Sequence, residues 1–212
     1  MPALTFLQMQ SELTTLRFGE GKRSNTKLWL NQRYQQLFNL RDWPFRQVSR
    51  EPVTMANGGF TTLTPFRRIV AVELSDGSSL PYMTPSDMRL SYPTNSTQAP
   101  PPQNYTTLNG VVKVAPAADV PAFCSYQRAV CHYDEQGTVV AGGFALDYDY
   151  PLWPEEHHYL LILGAMATGL KNVNDPTWQS VEQEYQGAVD QMIDDLMPPD
   201  LYGTLQYGRD DL

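Results

Sequence analysis

The sequence predicts an α+β fold: a helical bundle formed by the N- and C-terminal helices, with a β-rich insertion and an extended C-terminal tail. Three observations predict it. Apolar residues recur at helical spacing near both ends of the chain. The middle is β-branched and broken by turn signals. Beyond Pro198-Pro199 the chain becomes short, polar and rich in tyrosine. The expected layout is a single domain over 1–212, with the bundle over 1–44 and 151–197, the insertion over 45–150 and the tail over 198–212.

Phe6, Met9, Leu13 and Leu16 form the first helical stripe, and Thr5 with Gln8 fits a capping box. Gly19 and Gly21 end that helix, and Asn25 or Thr26 is suited to cap the next. The second helix is expected over Thr26–Arg41, with Leu30, Tyr34, Leu37 and Phe38 on one face and Trp29 on a flanking stripe. Pro44 stops it, because a residue before proline avoids the α region.

In the middle, Arg67–Leu74 reads RRIVAVEL, a strand. A turn at Ser75–Ser78 leads to a returning strand over Ser79–Met83, and Thr84–Met88 starts a short helix. Thr94–Gln103 is a proline-rich loop. Asn109-Gly110, between Tyr105–Leu108 and Val111–Ala115, is the strongest hairpin signal in the chain. Phe123–Tyr133 reads as one long strand, turned by Glu135-Gln136-Gly137. On one strand, Cys124 and Cys131 would face opposite ways, so both are expected as buried free thiols.

Helices then return. Pro154 is placed at N1, followed by Glu155 and Glu156 near the positive helix end. The small-residue run Gly164–Gly169 permits close packing. Asp175 caps the last helix, with Pro176 at N1, and Trp178, Val181, Tyr185, Ala188, Met192 and Leu196 make its stripe.

Charge is distributed unevenly. The net charge of −8 hides +5 over residues 1–50, zero over 51–131 and −13 over 132–212. An acidic third argues against wrapping of that region around nucleic acid. It suits a basic partner, or a wall past which DNA slides. No apolar run reaches the roughly 18 residues that span a bilayer, so no membrane association is expected. The first residues lack a basic and then apolar leader, which predicts a cytoplasmic chain.

Chemistry is sparse. The sequence contains no Gly-x-Ser-x-Gly, His-Glu-x-x-His, P-loop or Cys-x-x-Cys. His157 and His158 are adjacent and cannot form an i, i+4 metal pair, and His132 adds little. Asp147, Asp149, Glu155 and Glu156 would matter to a hydrolase only if two of them faced each other roughly 5–9.5 Å apart. Gly142-Gly143 and the sequons at Asn95 and Asn104 carry no reading of their own. No cofactor, metal or enzymatic turnover is expected. In the tail, Leu201, Tyr202, Leu205 and Tyr207 are expected as anchors in another chain, since tyrosine offers large area at low entropy cost.

Two groups of motifs carry a resemblance. Trp29–Leu37 reads W-L-N-x-x-Y-x-x-L and is followed by R-D-W-P-F at Arg41–Phe45. Near the other end stand PLWPEEHHYLLILGA at Pro151–Ala165 and DPTWQSVEQEY at Asp175–Tyr185. In that order they resemble the head-to-tail adaptor (connector) proteins of tailed bacteriophages.

The resemblance implies a structural virion protein at the neck, assembled in the host cytoplasm. It implies a ring, commonly of twelve copies, below the portal protein. The ring would extend the DNA channel without sequence-specific binding of dsDNA, serve genome ejection, and offer a platform to a tail or nozzle protein. It also implies that Pro198–Leu212 reaches the portal. The alternatives are a neighbouring stopper or tail-completion protein, a virion-associated cell-wall hydrolase built on the carboxylates above, and a plain cytoplasmic binding module.

Overall fold

A computed structural model describes residues 3–92 and 101–197. It is mixed helix and antiparallel sheet. The chain divides into two compact units: one of residues 1–45 with 130–212, the other of residues 46–129.

The first unit is mainly helical. Helix α1, Phe6–Leu13, begins with the capping box Thr5–Gln8. Its first amides are taken up by a distant loop: Phe6 N–H donates to the Asp149 carbonyl at 2.7 Å and Leu7 N–H to that of Asp147 at 2.8 Å. Phe6, Met9 and Leu13 are buried, but Leu16 is exposed. A π-helical turn over Thr14–Phe18 replaces the α geometry there and rotates the expected fourth member of the stripe out to solvent.

Helix α2 covers Arg23–Leu40, three residues earlier than expected, because a 3-10 turn over Glu20–Lys22 leads straight into it. Thr26 therefore lies inside the helix, its hydroxyl returned to the Arg23 carbonyl. Helix α4, Tyr159–Asn172, and helix α5, Trp178–Leu196, complete the helical set. Pro154 precedes a separate 3-10 turn over Glu155–His157, so it does not open α4. Asp175 likewise sits ahead of α5, its carboxylate accepting from the Thr177 N–H and hydroxyl.

Helices from both chain ends share one core. Leu30, Tyr34, Leu37 and Phe38 of α2 pack with Leu161, Ile162 and Met166 of α4 and with Tyr185 and Met192 of α5. Close approach requires glycine at two places on α4. A β-carbon on Gly169 would lie 2.5 Å from Trp29 and from Phe18, and one on Gly164 would lie 2.9 Å from Tyr185. Arg33 fastens the three helices. It donates to Thr168 of α4 at 2.8 Å, forks onto Glu182 of α5 at 3.2 and 2.6 Å, and stacks on the Tyr185 ring.

The second unit is β-rich. Strands β1 (Gln47–Thr54), β7 (Pro121–Arg128), β3 (Phe66–Leu74) and β4 (Ser79–Leu80) form one antiparallel sheet in that order. Strands β2 (Gly59–Phe60), β6 (Val111–Ala115) and β5 (Asn104–Leu108) form another. Asn109 and Gly110 both take positive φ, as the two-residue hairpin turn demands. Val72, Leu74, Cys124 and Tyr126 from the first sheet bury against Phe60, Val112 and Val114 from the second. The returning strand is shorter than expected, and helix α3, Pro85–Ser91, follows with Thr84 as its N-cap.

The stretch expected as one strand over Phe123–Tyr133 is two. Strand β7 ends at Arg128; strand β8, Cys131–Tyr133, pairs with β9, Val139–Ala141, and packs in the helical unit. The opposite-face argument for the cysteines therefore lapses. Both are nevertheless buried thiols outside any disulfide, one in each unit.

Candidate functional site

Several of the residues that could carry chemistry are engaged in holding the fold. Asp149 is buried, and its carboxylate accepts from the backbone N–H groups of Ala145 and Leu146 at 2.6 and 2.7 Å. The buried His132 ring meets the same carboxylate oxygen at 3.2 Å through Nε2, and its Nδ1 lies 3.0 Å from the Gly142 carbonyl. Asp147 pairs with Lys27 at 3.3 Å. Glu155 and Glu156 lie exposed in a short 3-10 turn. Asp149, being enclosed, faces none of the other three across an open groove.

The histidines are structural as well. His158 is buried; its Nδ1 accepts from Leu4 N–H and its Nε2 donates to the Trp153 carbonyl, both at 3.0 Å. That arrangement uses a neutral ring, and burial, the main cause, lowers the pKa from its ordinary value. His157 Nε2 lies 3.6 Å from Asp195. Burial pushes the Cys124 thiol up to about 12, with the Glu51 carboxylate adding to it, which leaves a poor nucleophile. Among the described residues no cluster of histidine, cysteine or carboxylate could hold a metal ion. No helix among them is long and apolar enough to cross a membrane.

What remains are surfaces, and three stand out. The first is the loop held by Asp149. Its backbone is fixed by the two bonds to that carboxylate and by the two from α1, yet it displays Leu146 at 66% and Tyr148 at 55% exposure. A side chain on a mobile loop can shelter itself; these two are held out in water.

The second is a groove of about 600 Å³ in the β-rich unit, between α3 and the outer face of the β5–β6 hairpin. Pro85, Met88, Arg89 and Tyr92, at helical spacing, form one wall. Thr106 and Lys113, paired across the hairpin, lie on the floor, with Leu108 beside them. The Thr106 hydroxyl is buried without a hydrogen-bond partner among the described residues.

The third is the outer face of α5. Glu184, Asp190, Asp194 and Asp195 are exposed along it, which locates part of the acidic bias seen in the sequence. The four tail residues singled out by sequence, Leu201, Tyr202, Leu205 and Tyr207, lie outside the described residues.

Sequence reasoning did not single out Leu146, Tyr148 or the groove. The only local signal for the first two is the alternation Leu-Asp-Tyr-Asp-Tyr, whose second aspartate turns inward.

A family model described as SU10 adaptor protein matches residues 5–209. No curated protein matches the sequence. The chain belongs to the SU10 adaptor protein family, a phage head–tail adaptor family, which is a structural rather than an enzymatic class.

Proposed function

We propose that the protein is a head–tail adaptor at the virion neck that assembles as a ring, commonly of twelve copies, beneath the portal. The observation that carries this reading is the family match over residues 5–209. The internal commitment of Asp149, His132 and His158 supports a scaffold without turnover. In this reading the two units act as one adaptor domain, a helical bundle with a β-rich insertion. Its ring continues the DNA channel, lets duplex pass during ejection without reading its sequence, and offers a platform to the tail or nozzle protein. The exposed carboxylates of α5 support a surface that repels phosphate. Assembly takes place in the host cytoplasm.

Residues 198–212 are the proposed portal contact, with Leu201, Tyr202, Leu205 and Tyr207 as anchors. The test mixes the purified chain with the portal ring of its own phage and images the product. A ring docked on the portal is expected. Deleting residues 199–212 should abolish docking and leave the tryptophan fluorescence of the folded chain intact. Persistent monomer beside the portal would overturn the ring, and docking by the truncated chain would overturn the role of the tail.

A further inference from the structure

The loop from Gly142 to Asp149 is tied to strand β8 at both ends. Gly142 N–H donates to the Val130 carbonyl at 2.8 Å, and Tyr150 exchanges two backbone hydrogen bonds with Tyr133, each 3.0 Å. His132 stands between these ties, buried, with its ring edge-on to Phe144. Its Nδ1 lies 3.0 Å from the Gly142 carbonyl and its Nε2 lies 3.2 Å from Asp149 Oδ2. One ring therefore joins the first residue of the loop to the last.

Both of those partners are acceptors. A carbonyl oxygen offers no proton, so Nδ1 donates. Asp149 Oδ2 already takes the Ala145 and Leu146 N–H groups at 2.6 and 2.7 Å, an arrangement that suits an ionised carboxylate. A bare Nε2 would set its lone pair against that oxygen in a buried place, where the repulsion is little screened. A neutral imidazole carries one proton, and this site calls for two. His158 is the contrast: it accepts from Leu4 N–H and donates to the Trp153 carbonyl, which one proton satisfies.

We propose that His132 carries a proton on each ring nitrogen in the folded protein, and that this imidazolium is a clasp on the Gly142–Asp149 loop that opens when the second proton leaves. With both protons in place the cation is matched by Asp149 and both of its donors are used, which is the condition for holding a buried ion pair. Asp149 is the carboxylate in contact with the ring. The loop also brings Asp147, which is paired with Lys27 of α2 at 3.3 Å. Helix α2 brings Tyr34 as well, whose hydroxyl donates to the Cys131 carbonyl and is kept protonated by burial. Strand β9 brings no titratable group, and Cys131 and Tyr133 flank His132 along β8.

Asp149 carries more than the loop. Its carbonyl takes the first amide of α1, Phe6 N–H, at 2.7 Å. Loss of the second proton would thus remove the cation from beneath the exposed Leu146 and Tyr148 and loosen the start of α1. The clasp is closed at low pH and opens as the pH rises, the reverse of the dependence that a buried neutral ring such as His158 imposes. It belongs to the single chain and needs no neighbour.

The experiment uses the full-length, unsubstituted chain labelled with nitrogen-15 at histidine. Proton–nitrogen NMR spectra at about pH 7.5, about one unit above the ordinary histidine value, count the protons on each ring. The His132 signals are identified by their contact with the Phe144 ring, so no variant has to fold. Two protonated nitrogens are expected at His132 and one at His158. A His132 ring with one bare nitrogen at that pH would overturn the clasp. Raising the pH until the second proton is lost should speed hydrogen exchange at the Ala145, Leu146, Phe6 and Leu7 amides about tenfold beyond the direct effect of hydroxide, with the amides of α4 unaffected. Exchange at those amides that ignores the titration of the ring would show that the proton does not hold the loop, and would overturn the switch.

Discussion

The two units solve the problem of burial differently. The helical unit draws its core from both ends of the chain and fills it with aromatic rings. Tyr34 stacks on Trp153, Trp43 on Phe45, and Phe6 leans on Phe144. Some of its polar groups are engaged, as at His158 and Arg33, and others are enclosed without a partner among the described residues, as at Gln10. The β-rich unit is one continuous segment with a smaller core: eleven buried hydrophobic residues against twenty-four in the helical unit, among those described. It also leaves a groove between α3 and the β5–β6 hairpin. The difference teaches where each kind of work is done. The larger aromatic core comes from the part whose residues are far apart in sequence, and the groove from the part whose residues are close.

Four changes test this contrast, and the chain provides a convenient probe. Trp29, Trp43, Trp153 and Trp178 are all four of its tryptophans, and all lie in the helical unit, so their fluorescence reports that unit. The largest effect is expected from Trp43→Ala. Trp43 is fully buried, stacks on Phe45 and donates to the Leu37 carbonyl at 2.8 Å. Its loss should cost about 3–5 kcal/mol in denaturant unfolding followed by the remaining tryptophans. A loss below about 1 kcal/mol would mean that the aromatic core does not hold the unit together.

Next is Gly169→Ala. The added carbon must displace Trp29 and Phe18, so a destabilisation of about 1–3 kcal/mol is expected. A stabilising result, as an ordinary helix position would give, would show that α2 and α4 can separate freely.

The third change lies in the β-rich unit. Thr84 caps α3 through a bond from the Asp87 N–H at 3.2 Å, and Thr84→Ala should cost about 1 kcal/mol. Hydrogen exchange should quicken in α3 while the tryptophan signal of the helical unit stays still. A shift in that signal would show that the units do not respond independently.

The smallest is a pH slope. The folded protein binds a proton at His158 less readily than the unfolded chain does. The stability it contributes is therefore full above the ordinary value of 6.5 and declines as the pH falls through the lowered folded value. His158→Gln should flatten the dependence of the melting temperature on pH in that window. An unchanged slope would assign it to other groups.

Much of the helical unit is legible in the sequence because helical periodicity is local. Leu30, Tyr34, Leu37 and Phe38 declare their face at once, and Thr5 with Gln8 declares a start. Asn109-Gly110 is legible for the same reason: two residues fix a hairpin. The break after Arg128 is not legible. Cys131–Tyr133 has the texture of a strand, and only pairing with Val139–Ala141 and packing among helices removes it from β7. The surfaces are the least legible. Leu146 and Tyr148 are held out because Asp149, next in line, is drawn inward by two amides and a histidine. Thr106 and Met88 meet across a groove that no local pattern encodes.

The two cysteines have a use beyond packing. Each unit encloses one thiol, Cys131 in the helical part and Cys124 in the β-rich part. A thiol reagent reaches either only when its own unit opens. Timed alkylation followed by peptide mass analysis would thus give two separate opening rates from one unmodified sample. The chain carries a clock in each half.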